Sequence, residues 1–462
     1  MHIHSAMLWS DWLLWLMAIA GVMAVIFIQR NSHLKEAWSY VFSTKLGMIS
    51  CIILIFYTMI ALLDSIHLQL IYTDKMHIQT ASRIVSILDL MMEPAGQDTE
   101  KTYSAPFADH LYNPSFTTLS NGKEVQRYVT LKYAQPTREL PGFILSGFLE
   151  SIVSLSAILV FWHWLLVRKK PLLMKQSIQR LWQGKTILAW REAMLTFSVI
   201  WIILGILISL MNAYHVFGTD KIGQDVFYES VKSIRTGLLI GTFTTLFMLP
   251  FALILGTFAG YFGGFIDDMI QYLYTTLSSI PGVLLISATI LVLQVFIANH
   301  SNWFPTLRER ADARLLALCF ILGITSWASL CRLLRGESLK LREREFIQAS
   351  KIMGARPLHI IVRHLMPNVM HIVLITLVLD FSGLVLAEAV LSYVGVGVDP
   401  TTISWGNMIN SSRLELAREP MVWWPLAAAM VFMFILVLSA NLFSDKVRDA
   451  FDPKLREMRN PT

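Results

Sequence analysis

Charge is what this chain has least of. Only 15% of its 462 residues are Asp, Glu, Lys or Arg, against about 25% in an average soluble domain. With 55% of residues hydrophobic, the apolar surplus exceeds what soluble cores of ordinary size can hide, which disfavours a soluble enzyme and a disordered chain alike. Cysteine is scarce as well. Cys51, Cys319 and Cys331 lie within or at the ends of apolar runs and form no Cys-x-x-Cys pair, so no disulfide framework is expected. A phosphate-binding loop is missing too: Gly184-Lys185-Thr186 has the right tail, but Gln179 stands where the first glycine belongs and no strand precedes it. The chain is therefore not expected to energise a process with its own nucleotide. Nor do the apolar runs hold a nucleophile–base or metal-ligand constellation, which disfavours a membrane enzyme. His2 and His4 are a bare terminal pair, and His359, His364 and His371 lack a spacing that would gather them on one helix face.

What the chain has instead is apolar length. Runs of about 20 residues can cross roughly 30 Å of hydrocarbon as helices. Nine stand at 8–28, 46–66, 142–167, 193–212, 236–258, 270–297, 314–334, 369–390 and 422–443. An all-α polytopic membrane protein follows. The first run is too long and too rich in tryptophan (Trp9, Trp12, Trp15) for a cleaved signal peptide, so it is expected to span. A formal charge of +6 would suit nucleic acid, but the basic residues sit mainly in gaps between the runs, where they orient a protein in its membrane. Arg168, Lys169, Lys170, Lys175, Arg180, Lys185 and Arg191 in the 168–192 loop face only Glu192. The 335–367 loop carries seven basic residues against three acids. Placing both inside puts the N-terminus outside, the C-terminus inside and the long 67–141 segment outside. One loop resists: 259–269 should lie inside, yet it has Asp267 and Asp268 and no Lys or Arg. The 67–141 segment holds five prolines (Pro94, Pro106, Pro114, Pro136, Pro141), a turn signal at Asn121-Gly122 and an alternating run at 125–133. It reads as a small capping subdomain with a modest core.

Residues 335–367, RGESLKLREREFIQASKIMGARPLHIIVRHLMP, are the most informative stretch. Leu339, Phe346, Ser350 and Met353 recur at helical spacing on an otherwise charged helix. Gly354 is placed to end it in a left-handed conformation, and Pro357 to start a second helix, where its missing N–H costs nothing. Pro367-Asn368 then leads into the next span. The expectation is a helix, a turn and another helix at the membrane surface.

Gln348-Ala349-Ser350-x3-Gly354 followed by Pro367 resembles the EAA signature of ABC-importer permeases, with Gln348 for the usual Glu, Ser350 for the second Ala and Met366 for the Leu before proline. Further matches accumulate. Gly218-Thr219-Asp220-x2-Gly223-x-Asp225-Val226 is similar to the segment before the second span of dipeptide, oligopeptide and nickel permeases, and Ala259-Gly260-Tyr261-Phe262-Gly263-Gly264 to their following turn. Arg342-Glu343-Arg344-Glu345-Phe346 matches their approach to the EAA region. Glu388-Ala389-x-Leu391-Ser392-Tyr393-Val394-Gly395-x-Gly397 and Ser404-Trp405-Gly406-Asn407-Met408 match their outer segment, and Asn441-Leu442 with Arg448-Asp449-Ala450-x-Asp452-Pro453 their tail. The resemblance covers 215–457 and is closest to the C-type permease subunit.

The resemblance implies a type I importer permease of a bacterial cytoplasmic membrane. It implies a homologous second permease, two ATPase subunits that bind the ATP, and an extracytoplasmic solute-binding protein as partners, with membrane lipid around the chain and no nucleic acid. No cofactor is expected in the chain itself. The cargo would be peptides or similarly sized solutes. Glu343, Arg344, Glu345, Phe346, Gln348, Ala349, Ser350, Met353 and Gly354 would then form the contact with the ATPase. Five regions are expected: an additional helix and loop at 1–45, the first core helix at 46–66, the external segment 67–141, two inserted helices with a basic loop at 142–212, and the permease core at 213–462.

Acids within the spans demand a reason, because a buried ion in hydrocarbon is costly and usually faces protein or water. Asp11 and Asp64 lie close enough to span ends to reach the interface, Glu150 is placed to pair with another of the additional helices, and Asp380 lies deepest. Asp380 and Glu388 are candidates for the pathway, with a structural pair with the partner subunit as the alternative for Asp380. The competing reading, an ion-coupled secondary transporter using Asp380, Glu388 and Glu150, generally brings internal repeats with broken helices, and none is found here.

Overall fold

Apolar runs with few turn residues leave the backbone no hydrogen-bonding partner in a bilayer except itself, so they form helices. The computed structural model describes residues 2–73, 80–92, 99–118, 124–134, 139–167 and 188–451. Asn121-Gly122, most of the basic 168–192 loop with its Gly184-Lys185-Thr186 tail, and Asp452-Pro453 lie outside them. Strand β1 (His2–Ser5) precedes α1 (Trp9–Arg30), α2 (Ser32–Ser43) and α3 (Lys45–Asp64). The 67–141 segment follows with β2 (His67–Thr73), β3 (Thr80–Ser86), the short α4 (Ile87–Met91), β4 (Ser115–Thr118) and β5 (Glu124–Arg127). Helices α5 (Leu140–Val167), α6 (Trp190–Met211), α7 (Val226–Phe262), α8 (Gly264–Ser279), α9 (Gly282–Asn299) and α10 (Leu307–Arg342) come next. The chain ends with α11 (Glu345–Ile352), α12 (Pro357–Ile360), α13 (Met366–Val394), α14 (Trp405–Ser412) and α15 (Trp424–Phe451). Among the described residues, nine helices are long and apolar enough to cross a membrane.

Three spans differ from expectation. The run 270–297 is split at Ile280-Pro281 into α8 and α9, because proline removes a backbone donor and clashes with the preceding turn; only α9 has spanning length and hydropathy. The runs 236–258 and 314–334 are the apolar middles of the longer α7 and α10. At the start of α10, Thr306 and Glu309 form a capping box that carries the helix past its apolar part.

The chain forms two compact units. The first comprises residues 1–7, 15–235 and 403–446. In it, β1 pairs antiparallel with β2, Ser5 opposite Leu68, and β2 with β3. The strand before α1 therefore lies on the same side as the strand after α3, so α1 and α3 run in opposite directions with α2 between their other ends. Helices α5 and α6 meet through small residues: a Cβ on Gly147 would lie 2.7 Å from the Cβ of Ser209, and one on Gly205 1.8 Å from the hydroxyl of Ser151. The Nε1–H of Trp201 donates to the Ser154 hydroxyl at 2.9 Å. Glu150 is exposed on α5 and makes no ion pair among the described residues, so the expected pairing with another helix is not formed. In the 67–141 segment, Leu111, Leu131 and Ala134 form a small core. The alternating run 125–133 becomes a strand only as far as Arg127.

The second unit comprises residues 8–14, 236–402 and 447–462. Its core joins Met248 and Ala252 of α7, Ile270 and Tyr274 of α8, Leu330, Cys331 and Leu334 of α10, and Val369 of α13. Gly256 and Gly260 let α7 touch α10: a Cβ on Gly260 would stand 2.4 Å from the Cβ of Ser338. The acidic loop that resisted the charge rule finds its counter-charge here. Arg335 donates Nη2–H to Asp267 Oδ2 at 2.7 Å and Nε–H to the other oxygen, and this partner holds the Asp267 carboxyl below the usual carboxylate range.

Candidate functional site

The part of 335–367 before Gly354 folds differently from the one striped helix expected there. Residues 335–342 belong to α10; Glu343 caps it, and extended backbone at Arg344 (ψ 145) starts α11. The turn is tied by the Gln348 side-chain amide, which donates to the carbonyl of Arg342 at 3.0 Å. The break redistributes the stripe. Ser350 is buried, its hydroxyl donating to the carbonyl of Phe346, whereas Phe346 and Met353 face outward at 44% and 79% exposure. Glu343, Arg344, Glu345 and Ala349 are exposed, as is Gly354. Gly354 has φ +80, and the N–H of Ala355 closes back on the carbonyl of Ser350 at 3.1 Å, as expected for a left-handed helix end.

The inward anchor is Ile347, which the sequence did not single out. It is fully buried with Ile360, Ile361, Leu365 and Tyr261, at the end of α7. Lys351 lies 5.2 Å from the Tyr261 ring. Opposite this anchor, Phe346, Ile352 (87% exposed), Met353 and Leu358 present an apolar outer face.

The second surface helix is also different. α12 runs through a π turn, Ile361–Leu365, directly into α13. The N–H of Met366 bonds back to Ile361, absorbing Pro367, whose missing N–H would break a regular ladder. The wider turn also brings His359 and His364 onto one side, ring centroids 6.2 Å apart, which regular helical spacing had argued against. Among the described residues no group of three or more metal-ligating side chains forms.

Deeper in α13, Oδ2 of Asp380 is buried without a hydrogen-bond partner among the described residues. Glu388 is buried and accepts from the Ser392 hydroxyl at 2.7 Å.

The Gly-Thr-Asp segment is the other organised site, within the first unit. Thr219 accepts from the N–H of Ser104 at 2.7 Å and donates to the carbonyl of Thr102 at 2.9 Å, while the Trp424 indole donates to the backbone carbonyl of Thr219 at 3.0 Å. Asp220 accepts from the N–H groups of Ile222 and Gln224; burial nevertheless pushes its carboxyl above the usual range. Asp225 caps α7 through the N–H of Tyr228 and meets His215 Nδ1 at 2.8 Å. Trp405 of α14 is buried and donates to the carbonyl of Ser230.

Beside this segment lies a charge cluster that the sequence hid. Lys232 is paired with Asp89 and lies 3.8 Å from Asp64. Asp89 accepts the Tyr228 hydroxyl at 2.8 Å, and Asp64 the Ser86 hydroxyl at 2.8 Å. Burial opposes the charge on Asp89, but Lys232, the N–H of Ser86 and Tyr228 together hold its carboxyl below the usual range. Asp64 is thus a buried partner rather than an acid reaching the interface. Asp11, likewise, is buried at the start of α1, accepting from the N–H of Leu8.

Residues 252–457 match the family described as binding-protein-dependent transport system inner membrane component. The oligopeptide transport system permease protein OppC of Mycobacterium bovis is 32% identical over 245 residues, covering 53% of this chain and 78% of that protein. Its namesake in Bacillus subtilis is 28% identical over 302 residues, covering 59% and 92%. The dipeptide transport system permease protein DppC of Bacillus subtilis is 30% identical over 245 residues, covering 53% and 70%.

Proposed function

Because this chain belongs to the family of binding-protein-dependent transport system inner membrane components, we propose that it forms half of a translocation pathway for peptides or similar small solutes, and that α11 couples it to a separate ATPase. The chain is a multi-pass membrane permease of the ABC-importer type. The observation that carries the coupling assignment is the two-faced character of α11. Its inner face is locked to the end of α7 and the root of α13 through Ile347, while its outer face leaves Phe346, Ile352 and Met353 uncovered. Single exposed apolar residues need no explanation, but three within eight residues of a short helix fit an interaction surface.

In this reading ATP-driven closure of two ATPase subunits displaces α11. Close packing makes such an anchor transmit displacement rather than absorb it, so α7 and α13 move with it and the pathway alternates its access. A homologous second permease completes the pathway, and an extracytoplasmic solute-binding protein delivers cargo. The N-terminus and the 67–141 segment lie outside and α11 lies in the cytoplasm of the bacterial inner membrane. Cysteine at Met353, paired with single cysteines on the cognate ATPase, tests the contact in membranes. A cross-link that forms and whose yield changes with nucleotide is expected; no cross-link from any α11 position would remove the assignment.

A further inference from the structure

Helix α5 carries a carboxyl where a bilayer offers it nothing. Between Glu139 and Arg168, Glu150 is the one Asp, Glu, Lys or Arg. The helix is apolar from its first turn, and Glu150 stands ten residues beyond Leu140. That is about 15 Å along the axis, halfway through roughly 30 Å of hydrocarbon. The side chain is exposed, and its carboxyl has no hydrogen bond or ion pair among the described residues. An acid at this depth ordinarily pairs with another charged group or a backbone partner. Within the described part of the first unit, Glu150 does not.

The neighbouring residues explain why. Gly147 and Ser151 fill the seam with α6. Ser146 and Ser154 lie one turn to either side of Glu150, but each spends its hydroxyl proton on a backbone carbonyl. Ser146 donates to Phe143 at 3.1 Å, and Ser154 to the carbonyl of Glu150 itself at 2.9 Å. Beside the acid, Leu149 and Val153 are 53% and 68% exposed. The surface round the carboxyl is therefore apolar, unlike the lining of a water-filled channel. Arg168 and its basic neighbours follow only after the apolar run of α5 has ended.

A group that satisfies this carboxyl has to sit in hydrocarbon at mid-depth. A lipid headgroup amine lies at the interface and does not reach it. A second copy brings no cation: α5 contains no Lys or Arg, and the one basic residue of α6, Arg191, is in its first turn. A two-fold contact through this face would set Glu150 against Glu150. A lysine or arginine on another chain's spanning helix answers the charge, and the bond it makes is strengthened by the low dielectric. Leu149 and Val153 then supply the close packing on which helix association in a bilayer depends. We propose that α5 docks, at Glu150, a transmembrane helix of another chain that carries a lysine or arginine at mid-depth. The contact needs neither cargo nor ATPase, only a chain that spans the membrane.

Energy transfer in phosphatidylcholine vesicles tests the contact on the full-length protein. A chain without its three cysteines carries a donor dye at Glu139→Cys, just ahead of α5. The probes are acceptor-labelled leucine–alanine peptides of about 20 residues, with lysine or leucine at the centre. Saturable transfer is expected with the lysine peptide, at an apparent affinity roughly tenfold or more above that of the leucine peptide. Glu150→Gln, which keeps the shape and removes the charge, should bring the two peptides level. Glu150→Lys should reverse the preference, rejecting the lysine peptide and taking one with a central glutamate. Should Glu150→Lys fail to insert, the exposed Glu150→Gln change decides alone. Equal binding of the lysine and leucine peptides, or a preference that survives Glu150→Gln, would overturn the proposal. A last arm mixes donor- and acceptor-labelled copies of the chain, and no transfer above random encounter is expected. Self-association abolished by Glu150→Gln would overturn the proposal in favour of a second copy.

Discussion

Lys232 sits between two carboxylates that would each be costly alone, and removing one member of a buried ion pair costs about 3–5 kcal/mol. Lys232→Met should therefore lower the Tm of the purified protein clearly, and Lys232→Met with Asp89→Asn should recover part of the loss. Asp89 also gives the cluster a pH signature. Its folded carboxyl is held below its ordinary range, so the stability it contributes is full above about pH 4, the ordinary Asp value, and is lost as pH falls through the lower folded value. Asp89→Asn should flatten that acid limb in thermal unfolding; an unchanged limb would assign it to other groups. Asp380 poses a different case. An aspartate at mid-span costs about 2.5–3.5 kcal/mol on insertion scales, and its orphan oxygen makes a line to the pathway or to the second permease the natural outlet. If Asp380 lines the pathway, Asp380→Asn should depress transport of cationic peptides more than neutral ones with assembly intact; equal loss with dissociation would make it a subunit contact. Asp380 was legible as an anomaly because a charge in an apolar run stands out. Lys232 was not, because its partners Asp64 and Asp89 are remote in sequence and only the fold brings them together.

At the scale of elements, the segment around Gly354 shows how far local signals reach. Both punctuation marks were readable: a glycine that ends α11 and a proline that opens α12. The phase between them was not, since spacing alone could not reveal that α10 ends at Arg342 and that Ile347 rather than the Phe346–Met353 stripe turns inward. The π turn was equally hidden, because it answers the backbone geometry around Pro367 rather than any side-chain pattern. Gly354 has open space around its missing side chain, so its constraint is conformational. A left-handed backbone costs an ordinary residue about 1–2 kcal/mol, and a β-branched one resists it most. Gly354→Val should insert and assemble normally, yet reduce transport-coupled ATP hydrolysis in the reconstituted complex. Normal coupled hydrolysis in that variant would detach α11 from energy transfer.

For the molecule as a whole, charge counting and the pairing of β1 with β2 converge on the same arrangement of the first two spans. Parity needs only the number of crossings, and that number survives the split of the 270–297 run because one spanning helix remains there. Single cysteines at Ser115 in β4 and Ser43 at the end of α2, in a chain without Cys51, Cys319 and Cys331, give a direct check. An impermeant thiol reagent added to intact cells should label position 115 and spare 43; the reverse pattern would invert the topology. The β1–β2 ladder has a further consequence, for how the protein is made. A ribosome releases β1 well before β2 exists, so in the proposed topology the first strand is carried across the membrane ahead of its partner and waits there with its backbone edge open. Translocation of the N-terminal tail thus becomes a step that must precede closure of the sheet. An obstacle fused ahead of β1 would be felt not at the sheet's own sequence but in the timing of its assembly.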